Sequence, residues 1–298
     1  MPHRSRFCPV PPPSFRAGTN SIAGSVHMRR TFTDFTVEVD MKRPDFLRAK
    51  GNGQRNLLLG RAVAEFAADL RHLDAIQQVF VDGASRPLIR SDWSSSGADY
   101  SDSSQLLIEG QQVMQDWEHP LMHKLAVNAC ESKGDILEVG FGMGISAGYV
   151  QECGVRSHTI IEINEGVAER FAAWRASRAG SDIRLAFGAW QDVIGGLGQF
   201  DGILYDTYPT NEDEFVKTLG PKEVTLAANF FPAAAAHLKP GGIFSYYTNE
   251  IDSLSRAHQR LLLEHFSSFK VELVTGLQPP ADCTYWWADR MAAVTAYK

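Results

Sequence analysis

Apolar and polar positions change period several times along this chain, and the changes divide it into segments. In Phe35–Met41 apolar residues alternate with polar ones, the period of a half-buried strand. From about Leu57 to Phe80, Leu59, Val63, Phe66, Leu70, Leu73, Ile76 and Phe80 recur at three- and four-residue steps. That spacing predicts an amphipathic helix, and Asp82-Gly83 ends it. Pro87–Trp93 and Ser104–Glu109 read as two strands around a Ser- and Gly-rich connection. A second helical pattern starts at Val113, with Pro120 expected to kink or restart it. Beyond it, short apolar runs alternate with helical stretches. The strands expected are Ile136–Val139, Thr159–Ile163, Ile183–Phe187, Gly202–Tyr205 and Gly242–Tyr247, with Val271–Thr275 and Met291–Tyr297 as a closing pair. This alternation predicts an α/β fold with a doubly wound sheet.

Three regions follow. Residues 1–30 read as a disordered leader: Pro9 and Pro11–Pro13 exclude regular structure, and five arginines face no acid before Asp34. Met28 is an equally good start codon. Residues 31–111 form a small α+β extension, a lid or dimerisation unit in preference to a plain brace, and residues 112–298 form the main domain. The extension makes a homodimer an expectation. A net charge of −6 argues against a nucleic-acid partner. No apolar run approaches the roughly 20 residues that span a bilayer, and no apolar core of a signal peptide is present. Cys8, Cys130, Cys153 and Cys283 are scattered without metal-ligand spacing, which reads as reduced thiols in a cytoplasmic protein with no metal.

The candidate chemistry centres on Asp135–Gly144, a strand running into a glycine-rich turn. Gly140, Gly142 and Gly144 remove side chains where backbone approaches a ligand. Ile145 stands where the dinucleotide fingerprint needs its third glycine, which turns the reading away from a pyrophosphate cofactor. Glu162 ends the next strand, about 20 residues on, where an acid accepts from ribose hydroxyls; a solvent-exposed strand-end acid is the alternative. Asp206 ends an apolar strand at the same edge of the sheet, followed by Tyr208 and Pro209, and could instead cap a loop. Glu118, beside Trp117, could be a surface acid, but two carboxylates are what a guanidinium fork requires.

Together, Val113–His123, Leu137–Met143, Ile160–Glu162, Phe200–Pro209, Leu238–Gly242 and Pro279–Cys283 resemble the guanidinoacetate N-methyltransferase family and its arginine guanidino methyltransferase relatives. The likeness covers about residues 112–298. It implies a Rossmann-like class I methyltransferase sheet, S-adenosyl-L-methionine as cofactor and S-adenosyl-L-homocysteine as product. It implies cofactor contacts from Met122, Gly140, Phe141, Gly142, Met143, Glu162, Gly188, Trp190 and Asp206. Glu118 and Asp206 would clamp the guanidinium as the catalytic pair, with Tyr208 beside them and Thr248 and Asn249 at the substrate's far end. The stretch Tyr246–Ile251 departs from the guanidinoacetate enzyme's pattern. Glu250 there could meet an α-ammonium or merely start a helix, which inclines the reading to a small guanidino substrate, free L-arginine, with guanidinoacetate second and a protein arginine third. A nucleotide-binding oxidoreductase and a catalytically silent cofactor-binding protein are the other classes weighed. Tyr285–Trp287 reads as packing and receives no role.

Overall fold

The computed structural model describes residues 27–31, 36–40, 89–90, 93–214, 225–248, 250, 252–286 and 288–298. The chain separates into two units, Met1–Ala64 and Glu65–Lys298, so it divides well before the boundary expected near residue 112. In the first unit, strand β1 (His27–Thr31) pairs antiparallel with β2 (Thr36–Asp40). Residues 27–30, read above as leader, therefore belong to a strand. The leader up to residue 26 and the helix expected from Leu57 to Phe80 lie outside the described residues.

In the second unit a three-stranded antiparallel sheet comes first: β3 (Ala98–Asp99), β4 (Gln105–Ile108) and β5 (Gln111–Gln115). Glu109 and Gly110, at φ of 53° and 75°, make the two-residue turn between β4 and β5. Two consecutive positive φ values suit the twist of a hairpin, and they overturn the helix expected from Val113. Residues 111–115 are strand, Asp116–Glu118 is a single 3-10 turn, and the helix α1 begins only at His119, running to Ala129 with Pro120 in its first turn. Proline costs little there, because the first amide of a helix has no partner within it. The strand expected over Pro87–Trp93 does not form among its described residues.

The seven-stranded sheet comprises β6 (Asp135–Val139), β7 (Ser157–Glu162), β8 (Ile183–Phe187), β9 (Phe200–Tyr205), β10 (Leu238–Thr248), β11 (Ser268–Thr275) and β12 (Arg290–Tyr297). Their spatial order is β11-β12-β10-β9-β6-β7-β8, with β12 alone antiparallel to its neighbours. Side chains alternate across it: Ile136 and Leu204 pack on one face, Leu137, Val139 and Ile203 on the other. Helices α1, α2 (Ile145–Glu152) and α3 (Glu165–Ala176) cover the first face; α5 (Phe231–His237) and α6 (Arg256–His265) cover the second, after the short α4 (Trp190–Val193). β6 and β9 run parallel, but the order of strands reverses there, with β7 and β8 laid down to one side of β6 and β9 and β10 to the other; at such a switch point the carboxyl ends of strands leave a crevice.

Candidate active site

That crevice is a cleft enclosing about 200 Å³. Its floor is the turn after β6. Gly140 has φ of +93°, and a β-carbon there would lie 2.0 Å from the carbonyl oxygen of Asp206. Only glycine allows the ends of β6 and β9 to meet this closely, with the Asp206 amide donating to the Val139 carbonyl at 3.0 Å. The Met143 amide rests on Met114 Sδ at 3.3 Å, and the Tyr100 hydroxyl donates to the Gly142 carbonyl at 2.9 Å.

Glu162, at the end of β7, is buried and fastens this turn to its own strand. One carboxylate oxygen accepts from the Phe141 amide, the other from the Ile163 and Asn164 amides, each at 2.9 Å. Burial pushes the carboxyl up, and these amides together with that of Gly142 oppose the shift. Gly188 joins from β8, its amide donating to the Glu162 carbonyl at 2.8 Å, and brings Trp190 to the same wall. Trp93 lies across the cleft, stacked on Tyr208 with ring centroids 5.4 Å apart. The fully buried Asn164 side chain holds this cover by donating to the carbonyls of Trp93 and Ser96, each at 2.8 Å.

Glu118 reaches the cleft from the opposite side. It sits at the third position of its 3-10 turn, where a glutamate side chain bends back to the amide before the turn. Its Oε1 accepts from the Gln115 amide at 2.8 Å and from the Tyr285 hydroxyl at 2.6 Å. Burial and then the charge of Asp206 push its carboxyl up to about 8. Asp206 is pushed up to about 7, by burial first and then by Glu138 beneath the sheet end. Among the described residues no donor reaches the Asp206 carboxylate. A buried carboxylate and a partly buried one, the charge of Asp206 opposing that of Glu118, with no cation beside them among the described residues lining the cleft, are held ready for one.

Of the residues expected at the site, Glu118, Gly140, Phe141, Gly142, Glu162, Gly188, Trp190, Asp206 and Tyr208 all line this cleft. Met122 does not; it faces the core between α1 and the sheet, fully buried. Met143 opens on the far side of the turn, toward Ser103 and Arg170. Thr248 is buried in β10 off the cleft, and Asn249 lies outside the described residues. Glu250 is turned away: its carboxylate meets His258 Nδ1 at 2.9 Å and accepts from the Ser255 amide at 3.0 Å, and His258 continues to the Tyr246 hydroxyl at 2.7 Å. Burial raises the Glu250 carboxyl, but these hydrogen bonds outweigh it and leave it lowered.

The reading from sequence missed four groups. Met114 and Trp93 wall the cleft, Tyr247 places a buried phenol near both Asp206 and Glu118, and Tyr285 holds Glu118. Glu138 was also passed over. Fully buried in the middle of β6, it accepts from Ser146 Oγ and lies 2.8 Å from His158 Nε2. The alternation that marked β6 as apolar gave no reason to stop at one acid within it.

The strand order, the glycine turn and the strand-end acid define a class I S-adenosylmethionine-dependent methyltransferase. The cleft suits that cofactor: among the described residues lining it are Glu118, Glu162, Asp206 and Glu214 and no lysine, arginine or histidine. Such a lining favours a sulfonium and offers nothing to a pyrophosphate. More narrowly, the model of the guanidinoacetate N-methyltransferase family matches residues 79–298, and the chain belongs to that family. Similar curated proteins are fungal and carry the name protein arginine N-methyltransferase 2. The Yarrowia lipolytica protein is 32% identical over 162 residues, 50% of this chain and 31% of that one. The Aspergillus oryzae protein is 38% identical over 109 residues (35% and 26%), and the Saccharomyces cerevisiae protein 25% over 193 (57% and 43%). The chain thus spans less than half the length of these relatives. Among solved structures, a spermidine synthase from Thermotoga maritima aligns with 65% of this chain and 64% of its own at 15% identity and a TM-score of 0.46. The N-methyltransferase NodS from Bradyrhizobium japonicum, in complex with S-adenosyl-L-homocysteine, aligns with 61% and 87% at 16% identity and 0.41. No helix among the described residues is long and apolar enough to cross a membrane.

Proposed function

We propose that this protein methylates a guanidino nitrogen of a small molecule, with free L-arginine as the substrate. The observation that carries the reading is the pair Glu118 and Asp206, one buried and one partly buried carboxylate facing one cleft; among the described residues one has an oxygen unengaged and the other is without a donor. A guanidinium presents five N–H donors in a planar fork and answers both. Glu118 takes one edge of the fork and Asp206 the other, so the charge that each carboxylate opposes in its neighbour is neutralised. S-adenosylmethionine, when bound, supplies a methyl group on a positively charged sulfur. Asp206 and Glu118 fix the attacking nitrogen in line with that group, the main demand of a displacement. A guanidinium is a poor nucleophile, so Asp206 also takes the N–H proton as the new N–C bond forms.

The curated relatives carry the name protein arginine N-methyltransferase 2, which favours an arginine guanidine over guanidinoacetate and supports a protein arginine as much as free L-arginine. Glu250 does not favour free L-arginine, because one of its carboxylate oxygens meets His258 Nδ1 and accepts from the Ser255 amide. The test is a mass-spectrometric assay with S-adenosylmethionine and, in separate reactions, L-arginine, guanidinoacetate and an arginine-containing peptide. A methyl gain on L-arginine is the expected result. A gain on guanidinoacetate alone moves the substrate to the second reading, and a gain on the peptide alone removes the small-molecule reading altogether.

A further inference from the structure

Glu118 can serve a guanidinium only if it is ionised and turned correctly, and its own turn secures just part of that. The Gln115 amide fixes one approach to Oε1. The second comes from Tyr285, 167 residues away, in the loop that joins β11 to β12. That loop is itself held: the amide and hydroxyl of Thr284 both donate to Gln112 Oε1, at 2.7 and 3.0 Å, and the buried Trp286 donates from Nε1 to the Ala288 carbonyl at 3.0 Å. The Tyr285 ring stacks on Trp117, the neighbour of Glu118, with centroids 5.8 Å apart. The phenol therefore arrives at Glu118 Oε1 from a ring with little freedom to leave.

We propose that Tyr285 is the positioning residue for guanidinium capture: with the Gln115 amide it occupies one oxygen of Glu118, leaving the other turned to the substrate and stabilising the ionised form. The proposal rests on the guanidino methylation read above. Two donors on one oxygen fix the carboxylate plane about its last torsion, which is otherwise broad. A hydrogen bond from a neutral donor to a carboxylate favours the charged state, which Glu118 otherwise resists. The ionisable groups around it are Asp206 across the cleft, the phenols of Tyr247 and Tyr285, and the Cys283 thiol. Burial raises both phenols, and it pushes the thiol up to about 11. Of these, Asp206 is the group pushed toward neutrality alongside Glu118, so a change in the pH profile on altering Tyr285 reports on this pair.

The experiment is Tyr285→Phe, which keeps the ring against Trp117 and removes only the hydroxyl. Wild type and variant are compared for kcat/KM toward the guanidine across pH and for S-adenosylmethionine affinity by calorimetry. The expected result is a loss of about 10- to 100-fold in kcat/KM at neutral pH, the range of a hydrogen bond to a charged group. The acid limb moves to higher pH, because Glu118 is then harder to ionise, and cofactor affinity stays unchanged. An unshifted limb overturns the proposal, whether kcat/KM is unchanged or falls together with cofactor affinity as misfolding would make it. A wild-type protein that binds the cofactor yet methylates no guanidine overturns both this and the underlying reading; an active wild type with an unshifted variant overturns this alone.

Discussion

Glu162 and Asp206 end two strands that flank the same central strand, and both are carboxylates in one cleft, yet the protein treats them in opposite ways. Glu162 is surrounded by amides, three of them at 2.9 Å, and belongs as much to the glycine turn as to any ligand. Asp206 is delivered into the same low-dielectric space with no donor among the described residues and with Glu138 repelling it from below. A carboxylate satisfied by fixed backbone is a rigid acceptor. One left unsatisfied is held at high energy until a donor enters, and its affinity for a proton is raised for the same reason. Under the proposed function, the Glu162 side, which would hold the cofactor, is built for shape, and the Asp206 side, which would meet the substrate, is built to change protonation during the reaction.

The sharpest way to break that comparison is Asp206→Asn. The amide keeps the volume but accepts no proton, so turnover is expected to fall by about 10²- to 10⁴-fold, the range of general-base catalysis. S-adenosylmethionine affinity, measured by calorimetry, should change little. A variant that retains wild-type turnover would remove Asp206 from the chemistry.

Glu162→Gln should show the reverse pattern. The amides of Phe141, Ile163 and Asn164 lose a charged acceptor. Cofactor affinity is expected to drop by about 10- to 100-fold, with turnover at saturating cofactor reduced far less. If saturating cofactor fails to restore turnover, Glu162 acts beyond cofactor binding and the two acids are not separable in this way.

The protonation difference also has a signature in stability. The Glu118 carboxyl rises from an ordinary 4.5 to about 8, and Asp206 from 3.8 to about 7. For an acid raised in the folded state, the native protein holds more protons than the unfolded chain between the two values, so stability declines as pH rises through that window. Ligand-free protein should therefore melt at progressively lower temperature from about pH 5 to pH 8. Glu118→Gln and Asp206→Asn should each flatten the slope. Melting curves of the variants with an unchanged slope would show that these carboxyls titrate normally.

How much of this was legible beforehand follows from how local each feature is. The glycine turn and Glu162 lie within one strand-turn-helix-strand unit, where spacing alone brings them to one cleft. Asp206 was readable because it directly follows an apolar strand, which ends at Tyr205 ahead of Pro209. The hairpin of β4 and β5 was not readable. Val113 and Met114 fit a helical period as well as a strand, and the deciding feature is a positive φ at Glu109, a residue with no preference for one. Met122 shows the reverse failure: it does lie in a helix, though one that starts at His119 and not at Val113, but Leu121, Met122 and Leu125 share the face that packs on the sheet. Tyr285 meets Glu118 only because β12 inserts between β10 and β11 and returns the preceding loop to the cleft. Nothing in an aromatic run announces that contact.

Glu250 offers the smallest effect and tests the boundary of the site. Its position after β10 made it a candidate for an α-ammonium, but its carboxylate serves His258 and the Ser255 amide at the start of α6. Glutamine can still accept both hydrogen bonds through its carbonyl oxygen, so Glu250→Gln keeps the arrangement while removing the charge. KM for L-arginine is then expected to stay within about threefold, since a charge facing away from the cleft and paired with an adjacent side chain adds little to binding. A rise of tenfold or more for L-arginine, with guanidinoacetate unaffected, would instead show that this loop turns toward the substrate when substrate is bound. The acid would then select the amino acid, and the substrate side of the cleft would extend beyond the Glu118–Asp206 pair to a third carboxylate.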